Sequence, residues 1–454
     1  MGMDRQIVII GAGIIGLSTA YYLAKSQKIK DIVLIDRSNP MSLTSAASGE
    51  NYRNWWPQIE MFALINRSID LMEDIARATK NRINMTRRGY VLSTRQNNID
   101  ALIGELNDGM DSSDGKLLRY HTNFTTSHYM KSLTRDWETA PNGVDIIQNS
   151  RLIESVFPSY ARDVQSIIHI RRGGDIDSQQ LGQIMIEYLR EEGVKFVFGN
   201  VLSIQKSSGY EIEYNTAEEI KKVKSDIVVN AAGPHAQEIA SMLGVKLDLA
   251  NVYQQKIAFE DTLKTIPRDL PFSIDLDPQV LDWSVDEREY LSENAETSWL
   301  LDTLPGATHC RPDGGVTGSW VKLGWAYNQK PDLDLQNQKT EASFPEVVLR
   351  GASRLQPSLK AYYGKLPSRR IHYGGWYNMT NENWPLIGPM QLNGAFMNCA
   401  MSGFGTMASC AAGELCAKWI AGDSLPSYAT NFSVKRYDNL QLMQKLRAAD
   451  KGIL

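Results

Sequence analysis

The sequence predicts a mixed α/β chain in which a parallel-sheet domain is interrupted by β-rich segments. Three observations lead to this expectation. A short apolar run opens the chain and passes through spaced glycines into a small-residue segment, "IVIIGAGIIGLSTAYYLAKSQ". A second apolar run, "DIVLIDR", follows and ends on the acid Asp36. Regular alternation of strand and helix then stops, and comparable pieces return only after residue 170 and near the C-terminus.

The opening pieces read as β–α–β. Ile7 to Ile10 is too short for a helix and rich in β-branched residues, so it is a buried strand. Gly11, Gly13 and Gly16 follow, and Asp36 stands 20 residues beyond the third glycine. That is the full dinucleotide fingerprint of a Rossmann-like domain rather than an isolated glycine motif. Gly11 permits a tight turn, Gly13 lets the backbone approach a pyrophosphate, and Gly16 lets helix and strand pack closely. The helix N-terminus adds a partial positive charge facing the phosphates. Asp36 would accept from ribose hydroxyls and disfavours a 2′-phosphate, which argues against NADP.

The later elements follow in order. "SNPMSLTSAASGENYRNWWP" is polar, then aromatic. A helix is expected over about 60–80, with Phe62, Ile65, Ile69, Met72 and Ile75 on one face. "GYVLST" at 89–94 reads as a strand, and 105–150 as polar and irregular. Asp177 should cap a helix that Gly193 ends. Ile227 to Asn230 reads as a buried strand closed by Ala231-Ala232-Gly233, and 250–345 as β-rich. "WPLIGPM" and "FMNCAMSGFGTMASCAAGELCAKWIAG" give a strand, a glycine loop and a small-residue helix ending at Gly422. The expected partition is 1–88, 151–245 and 346–454 for a discontinuous nucleotide domain. Residues 89–150 and 246–345 would form a β-rich substrate domain. A simple NAD enzyme should continue its βα units without such interruptions.

Composition narrows the function classes. The 454 residues are 43% hydrophobic, enough for two domains or three. With 48 Lys and Arg against 52 Asp and Glu, the net charge is −4, and no basic run suggests a nucleic-acid partner. No apolar stretch is long enough for a membrane span, and a strand so near the start leaves no room for a secretory leader. A cytoplasmic location is therefore expected, and the Asn-x-Thr triplets at Asn84 and Asn378 are read as chance. The C-terminal "KGIL" carries no readable address. Cys310, Cys399, Cys410 and Cys416 lack CxxC spacing and companion histidines, so buried reduced thiols are expected, with no metal site.

One lysine stands out. In "SWVKLGWAYNQKPD", alternation puts Trp320, Lys322 and Gly324 on one face of a strand and Val321, Leu323 and Trp325 on the other. A lysine inside such a run needs a reason.

Taken together, "IVIIGAGIIG", Asp36, "LTSAASGENYR", "GGDID", "VVNAAGP", "VKLGWAYNQKPD" and "MSGFGTMAS" resemble the FAD-dependent D-amino-acid-oxidase-like (DAO) superfamily, in its sarcosine-oxidase-like branch. The resemblance covers nearly the whole chain. "GENYRNWWP" also resembles a bacterial subgroup related to a flavoprotein implicated in respiratory complex I assembly. The resemblance implies FAD extended across the nucleotide domain. Gly11, Ala12, Gly13, Ile14, Ile15 and Gly16 would hold the pyrophosphate, with Ser45 nearby, and Asp36 and Arg37 would sit at the ribose. Ser48, Gly49 and Gly233 would line the site, and adenine would meet the backbone near Val201. The flavin's pyrimidine edge would face the loop Gly403, Phe404, Gly405, Thr406 and Met407, where a helix N-terminus favours negative charge on the reduced ring. Lys322 would be the catalytic cation near flavin N5, where it would favour electron transfer to O2.

Departures from the family pattern are informative. Met407 stands where N-methyl-amino-acid oxidases carry a lysine for the substrate carboxylate. Ala326 replaces a histidine that can follow the "KLG" lysine. Gly375 falls where some members carry the cysteine that tethers FAD, so noncovalent FAD is expected. Arg53 could clamp a carboxylate, His309 could line the pocket, and Trp55, Trp56, Tyr253 and Trp376 could give it aromatic walls. The implied activity is oxidation of the C–N bond of a secondary amine or amino acid, with O2 as acceptor and hydrogen peroxide as product. The alternatives are a dehydrogenase serving a quinone or protein carrier, and a flavoprotein assembly factor without turnover. Oligomeric state is left open.

Overall fold

The structure, a computed structural model, describes residues 5–109, 117–132, 137–315, 317–332, 334–335 and 340–448. The C-terminal KGIL and parts of the polar 105–150 stretch lie outside these residues. Ile7–Ile10 is buried on both faces, as suits a central strand of a parallel sheet. It pairs in parallel with Ile32–Asp36 on one side and Ile227–Asn230 on the other. Lys195–Phe198 and Ala395–Cys399 extend the sheet in parallel, and Leu386–Pro389 closes one edge antiparallel.

The helices on this sheet follow the sequence closely. Ile14–Lys25 starts directly behind the glycines. Ile59–Ala78 buries Met61, Ile65, Ile69, Met72 and Ile75. Ser178–Glu191 is capped by Asp177, whose carboxylate accepts from the Gln180 amide at 2.9 Å. Gly193 takes a left-handed φ of +80° just past its end. Gly405–Ala421 ends on Gly422 at φ +69°. Its small residues let it press against the first helix: a Cβ on Gly413 would lie 2.2 Å from Ser18 Oγ.

A nine-stranded mixed sheet forms the second layer. Its order is 370–379, 250–260, 320–324, 308–313, 272–275, 90–94, 166–170, 144–147 and 118–121. One face of its central strands carries Ile257, Phe259, Val321, Leu323 and Trp325 into a separate core with the helix Phe344–Ser353. The other face carries Lys256, Arg311 and Lys322, because Lys256 is opposite Gly324 and Lys322 is opposite both Ala258 and Arg311.

The expected domain boundaries need correction at two places. Ser166–Ile170 lies between the strands 90–94 and 144–147, inside the second sheet. Arg370–Met379 pairs along Ala250–Glu260, and the helix Phe344–Ser353 packs on the same sheet's core. Neither strand carries a local signal for one sheet over the other; only long-range pairing assigns them. The 105–150 stretch also holds two short strands, Leu118–His121 at the edge of the second sheet and Val144–Ile147 next to it. Arg119 and His121 on the first meet Asp145 on the second, and these polar residues mask the apolar alternation that marks a strand. All four cysteines are buried and free.

Candidate functional site

A long cavity runs along the carboxyl ends of all five parallel strands. It is lined by Gly11 after the first strand, Asp36 and Arg37 after the second, and Val201 after the third. Ala231, Ala232 and Gly233 follow the fourth, and Ala400 to Gly403 the fifth. Open parallel sheets bind ligands at this edge.

The glycine turn leaves no room for side chains. Gly11 holds φ +107°, and a Cβ there would fall 2.3 Å from the Ala231 carbonyl oxygen. A Cβ on Gly16 would fall 1.9 Å from the Gly11 carbonyl oxygen. The Ile14 amide donates to Ser45 Oγ at 3.0 Å, which ties the helix start to the 44–48 loop. Asp36 accepts from the Ala12 amide at 2.7 Å and from the Ser38 amide at 2.8 Å, so its carboxylate braces the turn it faces.

Most of the expected cofactor residues meet in this cavity: Gly11, Gly13, Ile14, Ile15, Asp36, Arg37, Ser45, Ser48, Gly49, Val201, Gly233, Gly403, Gly405 and Thr406 line it. Ala12, Gly16, Phe404 and Met407 do not. Ala12 and Gly16 shape the turn, and Phe404 and Met407 are buried in the core beneath the helix start. Ser48 Oγ and Thr406 Oγ1 lie 2.7 Å apart and join the two loops at the far end. Trp376 and Gly375 line the cavity, and both also line a second cavity that adjoins it and holds Lys322.

Other expected substrate residues sit elsewhere. Arg53 is fully buried and lines neither cavity. Its guanidinium donates to Tyr90 Oη at 2.6 Å and to the Trp55 carbonyl, and packs against the rings of Trp55, Trp56 and Tyr90. The two tryptophans are therefore core that seats an arginine, not pocket walls. Tyr253 is half-buried against Trp376 and lines neither cavity. His309 is buried against Phe272. Burial, with Lys256 and Arg311 nearby, pushes its pKa down to about 4, against a raising contact with the Ala307 carbonyl. It is neutral near pH 7, with Nδ1 donating to that carbonyl at 3.0 Å.

Lys322 lines the second cavity from its strand, but its charge is compensated. Its Nζ lies 2.9 Å from Glu50 and 3.8 Å from Asp313. Arg311 reaches Glu50 at 3.2 Å, Asp313 at 2.7 Å and Asp175 at 3.7 Å. Burial and Arg311 push the lysine's pKa down, yet Tyr373, Glu50 and Asp313 outweigh them and hold it above its usual value. Burial alone would raise the Glu50 carboxyl, but Lys322 and Arg311 hold it below its ordinary range. Glu50 sits at φ +64°, and the Ser178 amide and hydroxyl also donate to it.

Sequence reasoning missed Lys256. It lines the main cavity, is 5% exposed, and lies on the same sheet face as Lys322. Burial holds its pKa below the usual lysine value; Tyr373 opposes this and Lys322 adds to it. The signal was present: "VYQQKIAFE" sets a lysine in an apolar strand, as "WVKLG" does.

A family model described as "FAD dependent oxidoreductase" (DAO) matches residues 6–419. This chain belongs to the DAO family. An uncharacterized oxidoreductase, YurR, of Bacillus subtilis (strain 168) is 24% identical over 269 residues, covering 57% of this chain and 63% of YurR. The chain spans less than two thirds of the length of the curated relatives it matches. L-proline dehydrogenase from P. horikoshii superposes with a TM-score of 0.70 at 18% identity, covering 97% of this chain and 99% of that one. Glycine oxidase from Geobacillus kaustophilus gives 0.70 at 15%, covering 95% and 98%. At these identities the likeness is one of fold.

FAD, the DAO family's cofactor, fits the residues present. The Gly11 turn, which admits no Cβ, presents backbone to the cavity, as a pyrophosphate site needs. The helix start at Gly405 and Thr406 lines the opposite end, where it can favour negative charge on the ring. The described residues hold no helix long and apolar enough to cross a membrane and no group of three or more metal-ligating His, Cys, Asp or Glu side chains.

Proposed function

We infer that this DAO family member oxidises the C–N bond of a secondary amine or amino acid, with O2 as the electron acceptor and an imine and hydrogen peroxide as products. The observation that carries this reading is a cavity that joins the dinucleotide turn to the buried Lys256, with an adjoining cavity that holds Lys322. FAD, when bound, supplies the acceptor for a hydride from the substrate's α-carbon. This chain's residues orient the substrate, exclude water and set the local charge. The sheet face around Lys256 and Lys322 supplies positive potential in a dry site, where it acts far more strongly than in water.

Binding would be noncovalent. Gly375 offers no thiol, and a Cβ there would already lie 2.9 Å from Ala47 Cβ. The sarcosine-oxidase-like branch is favoured by the Lys322 strand, and the "GENYR" turn is its own variant, with Glu50 as counterion to that lysine. The cytosol fits a chain without a spanning helix among its described residues.

One observation favours a second acceptor. Glu50 compensates Lys322, which weakens its pull on superoxide and suits a dehydrogenase that passes electrons to a quinone or protein carrier. The test is to mix flavin-loaded protein without air with a panel of N-methyl and cyclic amino acids and simple secondary amines. The reading expects at least one to bleach the flavin, with peroxide released when air is admitted. A flavin that photochemical reduction bleaches and no panel member reduces would overturn it.

A further inference from the structure

We propose that Lys256 is the carboxylate anchor of the substrate site, so that the substrate is an amino acid rather than a simple amine. The proposal rests on the C–N oxidation inferred above and names the substrate class of that same cavity.

Lys256 is 95% buried, since 5% of it is exposed, and it lines the main cavity. Among the described residues its ammonium has no ion pair or hydrogen bond, and its one ring contact is Tyr377 at 5.6 Å. A buried cation without a counterion costs stability unless a ligand supplies the anion. The other two cations on this face, and the arginine expected to clamp a carboxylate, are spent. Lys322 and Arg311 share Glu50, Asp313 and Asp175. Arg53 is sealed behind Tyr90.

Lys256 reaches the cavity between the two ends of its inner wall. A Cβ on Gly49 would lie 3.5 Å from the lysine's Cε. Tyr377, on the next strand, presses on Gly403, so the lysine and the helix-start loop share one chamber. That helix start already offers positive field for the flavin's pyrimidine edge. A second cation on a different element answers a second anion, and a carboxylate is the anion an amino acid brings. Met407, buried in the core, cannot do this.

The test is binding, not turnover. Flavin-loaded wild type, Lys256→Met and Lys256→Arg are titrated with benzoate and with benzamide, followed by the visible spectrum of the bound flavin. The proposal expects benzoate to bind the wild type at least tenfold more tightly than Lys256→Met, with Lys256→Arg recovering much of the loss. Benzamide should show no such dependence. Where Lys256→Met fails to retain flavin, Lys256→Gln takes its place. Equal benzoate affinity in wild type and variant would overturn the proposal. So would an equal loss for benzamide, which would mark a packing defect. So would unchanged benzoate binding with weakened sulfite addition to the flavin, which would mean that the lysine serves the ring. None of these outcomes depends on whether any amine reduces the flavin, so the function and the anchor stand or fall separately.

Discussion

Glu50 is the residue on which the charge balance of the site turns. It accepts from Lys322 and Arg311, both buried, and no other carboxylate among the described residues approaches Lys322 within 3 Å. Glu50→Gln should destabilise the protein by about 3–5 kcal/mol, because it leaves two buried cations short of a partner. The pH dependence follows from the lowered carboxyl pKa. Its stabilisation is complete above the ordinary value of 4.5 and is lost as pH falls through the lower folded value. Denaturant unfolding at several pH values should therefore show the wild-type advantage over Glu50→Gln at neutral pH and its shrinkage well below 4.5. Lys322→Met tests the lysine's chemistry. Reoxidation of the flavin by O2 should slow much more than its reduction by substrate, as rapid mixing of the two half-reactions would show; equal effects would remove the oxygen-activating role. At this scale the sequence was uneven. Lys322 was visible as a lysine in an apolar strand, but Glu50, 272 positions away, was not legible as its partner. Arg53 looked like an available guanidinium, because nothing local reveals that Tyr90 and two tryptophans enclose it.

The elements carry the turn and the helix contacts that hold the cavity open. Gly11→Ala places a Cβ against the Ala231 carbonyl at a left-handed φ, so the variant should purify with much less flavin per chain, read from the visible-to-ultraviolet absorbance ratio. Gly413→Val should push the helix Gly405–Ala421 off Ser18, with a cost of about 1–3 kcal/mol in denaturant unfolding. Leu323→Ala, on the far side of the lysine strand, should cost about 2–5 kcal/mol and leave the flavin spectrum unchanged. These elements were the most legible part of the sequence. The glycine spacing, the Asp177 cap, the Gly193 and Gly422 stops and the alternation at 320–325 are all local signals, and each appears where it was expected.

At the scale of the whole molecule, the two-layer α/β plan was legible, but the path of the chain between layers was not. Ser166–Ile170 and Arg370–Met379 cross into the second sheet because their partners lie far away in sequence. The cavity is the product of that crossing. Five strand ends bound it on one side, and the lysine face of the other sheet bounds the rest. Ligand binding to the folded chain alone raises stability, by about 2.7 kcal/mol at one hundred times the dissociation constant. FAD should therefore raise the melting temperature of flavin-stripped protein in a concentration-dependent way. The most direct test of the account takes the flavin-loaded protein, reduces it photochemically without air, mixes it with oxygenated buffer and times the return of the oxidised spectrum. The account predicts rapid return and peroxide in proportion to flavin. Slow return, with rapid oxidation by a quinone or an electron-carrier protein, would contradict O2 as the acceptor and turn the site over to a dehydrogenase.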